Sequence, residues 1–137
     1  MTKVDFHILS ANQFDDAALY VCRLAEKAWR SGHQVLIHCD EVWADTLNEL
    51  LWSYRPESFV PHGLLADGEA PVNITSSVDC GTHHDVMINL SHQQPSSFSR
   101  FHRLIEVVFE EDALKVAKRA HYKFYQERGY PLQNHRV

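Results

Sequence analysis

His33-Gln34-Val35-Leu36-Ile37-His38-Cys39 is an unbroken β run followed at once by Asp40, a helix-capping residue. A strand with no polar alternation reads as one covered on both faces, as in a parallel sheet. Upstream, Val4-Asp5-Phe6-His7-Ile8-Leu9 is a second strand. A helix of about 15 residues follows it, opened by Asp15 or Asp16 and stopped at Gly32. Ala17, Val21, Leu24, Ala25 and Ala28 form its inner stripe, with Arg23, Lys27 and Arg30 outside. Downstream, Asp40 opens a helix that ends near Tyr54, before Pro56. This β-α-β-α order predicts parallel strands joined by right-handed crossovers. The expected fold is a single three-layer α/β/α domain over residues 1–137 with a mostly parallel sheet.

The remaining elements are less regular. Phe59-Val60-Pro61 contains Pro and reads as an edge piece or extended loop, and residues 63–71 read as a surface loop. Val72–Thr75, Asp85–Leu90 and Leu104–Phe109 are strand candidates. A last helix starts at Glu111 or Asp112 and stops at Gly129, leaving residues 130–137 as a loose tail.

Several chemistries are disfavoured. The first βα turn, Ser10-Ala11-Asn12-Gln13-Phe14, has none of the glycines that cradle a phosphate, and no GxxxxGK[ST] stretch occurs. The fold should therefore be nucleotide-binding-like without a nucleotide site. Cys22, Cys39 and Cys80 form no CxxC pair, and the ten His show no paired ligand spacing, so neither a metal nor a cofactor is expected. No GxSxG elbow is present. The start of the chain shows neither a leader nor a membrane span, and a cytoplasmic setting is expected.

Two features point to partners instead. Residues 1–112 carry 7 Lys/Arg against 17 Asp/Glu, whereas residues 113–137 carry 6 against the lone Glu127. At about 100° per residue, Lys115, Lys118, Arg119, Tyr122 and Lys123 share one side of the last helix. Ala113, Ala117, Ala120 and Phe124 share the other, which is expected to pack on the core. Cations gathered with a Tyr on one face, without interleaved Glu, suit a small anionic partner. The second feature is Trp52. Trp43, Leu47, Leu50, Leu51 and Tyr54 define the inner arc of the second helix, and Trp52 lies roughly 150° from its centre, among Asp45, Asn48 and Glu49. A Trp there, followed by Phe59 and Leu64, is either covered by the next loop or anchors a protein interface.

The segments Ala25-Glu26-Lys27-Ala28-Trp29-Arg30-Ser31-Gly32, Leu51-Trp52-Ser53-Tyr54-Arg55-Pro56-Glu57-Ser58-Phe59-Val60-Pro61-His62, and Glu111 to Lys115 with Arg119, Tyr122, Lys123 and Tyr125 resemble the chi subunit family of bacterial DNA polymerase III. The resemblance runs in order over almost the whole chain. It implies a non-catalytic accessory protein of the clamp-loader complex with two partners and no small-molecule substrate. Trp52, Phe59 and Leu64 match the surface that meets the psi subunit. Lys115, Arg119, Tyr122 and Lys123, with Val108 beside them, match the helix that binds the acidic C-terminal tail of single-stranded DNA-binding protein. DNA would then be reached indirectly, through that protein. His121 stands where family members can carry a basic residue. Two other readings stay open: an α/β enzyme using His38, Asp40 or His83, and a direct single-stranded nucleic-acid binder using the Lys/Tyr helix.

Overall fold

Strands β2 (Val35–His38), β4 (Val72–Thr75) and β5 (Val86–Asn89) are four residues each, and every side chain in them is buried. Strands buried on both faces need cover from two sides, and the alternation of their side chains shows what covers each. Val35, Ile37, Val86 and Ile88 join a cluster with Ala17, Val21 and Ala25 of helix α1 (Phe14–Arg30) and Leu47 and Leu51 of helix α2 (Glu41–Ser53). Leu36 and Met87 point the other way and join Tyr125 of helix α3 (Asp112–Glu127), with Phe98 and Phe101. Helices therefore lie on both faces of the sheet.

The computed structural model describes residues 1–137. Its remaining strands are β1 (Lys3–Ile8), β3 (His62–Leu64), β6 (Arg103–Val108) and β7 (Leu132–Arg136). The order across the sheet is β3-β4-β2-β5-β6-β1-β7, and all six neighbouring pairs are parallel.

Local details depart from the sequence reading in four places, the first being that Gly63 and Leu64, expected in a surface loop, belong to β3, with a 3-10 turn following at Leu65–Asp67. Residues 130–137 are not a loose tail, because β7 pairs with β1 from Val4↔Leu132 to Ile8↔Arg136. Val4 N donates to Pro131 O at 2.9 Å and Val137 N to Ile8 O at 3.0 Å. Only Leu132 of β7 is partly buried, so this edge is held by backbone hydrogen bonds and carries no apolar pattern to betray it. Helix α1 begins after Gln13, which places Asp15 and Asp16 in its first turn, where they offset the helix dipole. Asp40 does sit at the N-cap of α2, but its carboxylate is turned to Ser91 and His92.

Candidate functional site

Helix α3 is rotated from the sequence expectation. Its buried stripe is Leu114, Lys118, His121 and Tyr125, whereas Ala113 and Ala120 are exposed. The cause is Glu106, which β6 directs into the same face of the sheet with no exposed surface at all. Glu106 Oε1 accepts Lys118 Nζ at 2.6 Å and Asn89 Nδ2 at 3.1 Å, and Oε2 accepts Tyr125 OH at 2.5 Å. Lys118 Nζ also donates to Asn89 O at 2.8 Å. A buried carboxylate must be paired, and here it draws a lysine inward. Burial by itself would raise the Glu106 carboxyl, but Lys118 and His121 hold it down at about 2, so it is ionised. Lys118, 2% exposed, reaches the lining of the adjacent groove but is committed to Glu106, so it is not the free outward-facing cation that the sequence predicts.

With Lys118 turned in, the flanking residues Lys115, Arg119 and Tyr122 border a groove of about 540 Å³. Its apolar floor comes from the C-terminal ends of β1 and β6, through Phe6, Ile8, Leu9, Val108 and Phe109. Tyr122 is fixed against Phe6, with ring centroids 5.2 Å apart at 64°. The far wall is β7, which brings Asn134 and Arg136 into the lining. Arg119 is exposed and makes no ion pair, while Lys115 Nζ meets Glu110 Oε2 at 2.8 Å in a solvent-accessible pair. Such exposed pairs are worth little and can be exchanged. The groove thus joins a free guanidinium, an exchangeable ammonium and an aromatic-lined slot.

Of the residues singled out in the sequence, Val108, Lys115, Lys118, Arg119 and Tyr122 line this groove, Lys118 with its ammonium turned to Glu106. Lys123 does not; it lies outside the groove, exposed, with Glu127 at 4.0 Å. Arg136 and Asn134 were missed because the segment carrying them showed no strand pattern.

A second surface stands apart. Trp52 is 60% exposed and Phe59 is 76% exposed. The Trp52 ring lies 4.5 Å from the His62 ring, which is anchored to Val60 O and Asn48 O. The loop therefore braces Trp52 without covering it. Leu64 is partly buried against the core.

The residues weighed for catalysis are held in separate structural bonds. His38 Nδ1 meets Asn89 Oδ1 at 3.2 Å, and His83, almost fully buried, meets Asn73 Oδ1 at 2.8 Å. Asp40 is bridged by His92, whose Nδ1 lies 2.5 Å from Asp40 Oδ2 and Nε2 3.0 Å from Glu111 Oε1. Glu111 in turn caps α3, accepting Leu114 N at 3.2 Å. Partial burial works against a charged His92, but the two carboxylates outweigh it and raise the imidazole above its usual 6.5. The bridge is thus complete below about pH 6.5 and weakens as pH rises through the higher folded-state value. Melting curves of wild type and His92→Ala should therefore converge on the alkaline side; a gap that is constant with pH would contradict the bridge.

A wholly parallel seven-stranded sheet with helices on both faces, a glycine-free first turn and a cationic groove beside its edge strand defines the class: a three-layer α/β domain. The chain belongs to the family described as DNA polymerase III chi subunit, HolC, whose profile matches residues 1–133. It is similar to the DNA polymerase III subunit chi of Pseudomonas aeruginosa, at 45% identity over 139 residues covering 100% of this chain and 98% of the relative. The Escherichia coli K12 protein of the same name is 38% identical over 117 residues, 82% of this chain and 80% of its own length. That of Haemophilus influenzae is 35% identical over 139 residues, covering 96% and 95%. No helix is long and apolar enough to cross a membrane.

Proposed function

We propose that this chain is a non-catalytic accessory subunit of the replicative polymerase that links two partners through two separate faces. The groove on α3 receives the acidic C-terminal tail of single-stranded DNA-binding protein, and the Trp52–Phe59 surface receives the psi subunit of the clamp loader. The observation that carries the first contact is Arg119, a guanidinium without a carboxylate partner at the rim of a slot floored by Phe6, Val108 and Tyr122. A peptide ending in Phe presents a matching carboxylate and ring. Arg119 would hold the carboxylate, bidentate where geometry allows. The ring would enter the slot, and Lys115 and Arg136 would meet the acidic residues before it.

A short flexible peptide held this way should bind with micromolar strength, on the order of −7 to −8 kcal/mol. Several tails on one coated strand would raise the effective concentration, so a weak contact can still retain the polymerase. The test is titration with an acidic peptide ending in Phe, as free acid and as C-terminal amide. The acid should bind and the amide should bind far more weakly; equal binding would remove the carboxylate from the account.

The second contact rests on two large aromatic residues left open to water, the kind of anchor that carries most of the energy of a protein interface. Trp52→Ala should cost about 2 kcal/mol or more of psi affinity and leave tail-peptide binding unchanged. Calorimetric titration of both ligands separates the outcomes. Loss of both together would mean that Trp52 supports the fold instead.

A further inference from the structure

The cations of the acidic part of the chain are not scattered. Of the seven Lys and Arg in residues 1–112, six line two adjoining cavities, and only Arg100 lies elsewhere. One cavity, of about 670 Å³, sits at the C-terminal ends of α1 and α2; the other, of about 520 Å³, sits at the N-terminal ends of β1, β5 and β6. Lys27 and Ser31 line both, so the two form a continuous surface. It shares no lining residue with the α3 groove.

The larger cavity is organised by one buried carboxylate. Glu26 Oε2 accepts Arg30 Nε at 2.7 Å and also binds Arg55, while Oε1 accepts the Tyr54 hydroxyl. Both guanidiniums are thereby oriented while remaining about half exposed, at 56% and 44%. Arg23 and Lys27 stand beside them, exposed and without any ion pair. Arg23, Lys27 and Arg30, at i, i+4 and i+7, form a row about 10 Å long on α1. Compensation of the helix dipole accounts for Lys27 and Arg30 in the last turn of α1 but not for Arg23, two turns earlier.

Aliphatic lining is confined to the smaller cavity, where Met1, Leu24, Ala28, Val86 and Ile105 contribute, and the lining of the larger one decides what its four cations suit. Tyr54 is the one hydrophobic residue among the seven that line the larger cavity. A docked protein segment needs an apolar anchor, which the α3 groove supplies and this cavity lacks. Phosphates need only cations and guanidinium forks. A duplex would demand a broader basic surface than an acidic protein offers. We propose that Arg23, Lys27, Arg30 and Arg55 form a second anion site that grips the sugar–phosphate backbone of single-stranded nucleic acid. The site is independent of tail binding, and with no free aromatic platform it is indifferent to base sequence.

The test is fluorescence anisotropy of a labelled oligothymidylate with wild type, the Arg23→Glu/Lys27→Glu double variant and Arg119→Ala. Three or four phosphate contacts should give weak binding at low salt, with a log–log salt slope of about −2 to −3. The double variant should lose about tenfold or more in affinity and about 1.4 in slope, with circular dichroism and acidic-peptide binding unchanged. Arg119→Ala should bind the oligonucleotide like wild type. Absent binding at low salt, an unaffected double variant, or loss confined to Arg119→Ala would overturn the proposal. So would equally tight binding of a matched duplex. Polyglutamate of matched charge that bound as well, and was lost in the same double variant, would reassign the surface to an acidic protein.

Discussion

Glu106→Ala should destabilise the protein by about 3–5 kcal/mol, because it leaves the buried Lys118 ammonium with Asn89 O as its one remaining hydrogen-bond acceptor. The loss should appear as a lower urea midpoint with little change in slope. Replacing the pair together, as Glu106→Gln/Lys118→Met, should recover most of it, since no charge is then buried unpaired. The same pair makes the fold sensitive to acid. With the folded-state Glu106 at about 2 against its ordinary 4.5, its contribution is complete above about pH 4.5 and is lost as pH falls from there toward 2. A Glu106→Ala variant as stable as wild type at neutral pH would show that the network contributes nothing, and with it the rotation of α3 that opens the groove.

Arg119→Ala should cost about 2–3 kcal/mol of tail-peptide affinity, about thirty- to over a hundredfold in Kd. The peptide carboxylate, once covered by the docked chain, has no other unpaired cation on α3 to take it. Lys118 is locked to Glu106, and Lys123 lies outside the groove. Folding should be unaffected, because Arg119 is exposed and unbonded. Lys123→Ala, by contrast, should change affinity by well under 1 kcal/mol, as a distant exposed charge screened by salt does. Fluorescence titration of both variants distinguishes a groove centred on Arg119 from a diffuse basic face, for which the two losses would be similar.

The different fortunes of these lysines show how far the amino-acid pattern reaches. The parallel core was legible because Val35–Ile37 and Val86–Ile88 are uninterrupted apolar runs, the first of them leading into a helix start at Asp40. Trp52 was legible because it breaks the apolar arc of its own helix. The orientation of α3 was not, since counting lysines as outward-facing is the right rule unless a buried acid recruits one. A signal was present: Glu106 stands alone in Leu104-Ile105-Glu106-Val107-Val108-Phe109, and a strand buried on both faces leaves such a carboxylate needing an internal cation. Nothing comparable marked Leu132–Arg136. An edge strand held by its backbone, with exposed polar side chains, has the composition of a tail, and Arg136 came to the groove unannounced.

The two-faced connector is tested most directly by amide chemical-shift mapping of the isotopically labelled protein with an acidic peptide ending in Phe. The expected perturbations fall on Phe6, Val108, Lys115, Arg119, Tyr122 and Arg136, with Trp52 and Phe59 unmoved until the psi subunit is added. Perturbation of Trp52 and Phe59 by the peptide alone, or a silent Arg119 and Tyr122, would contradict it.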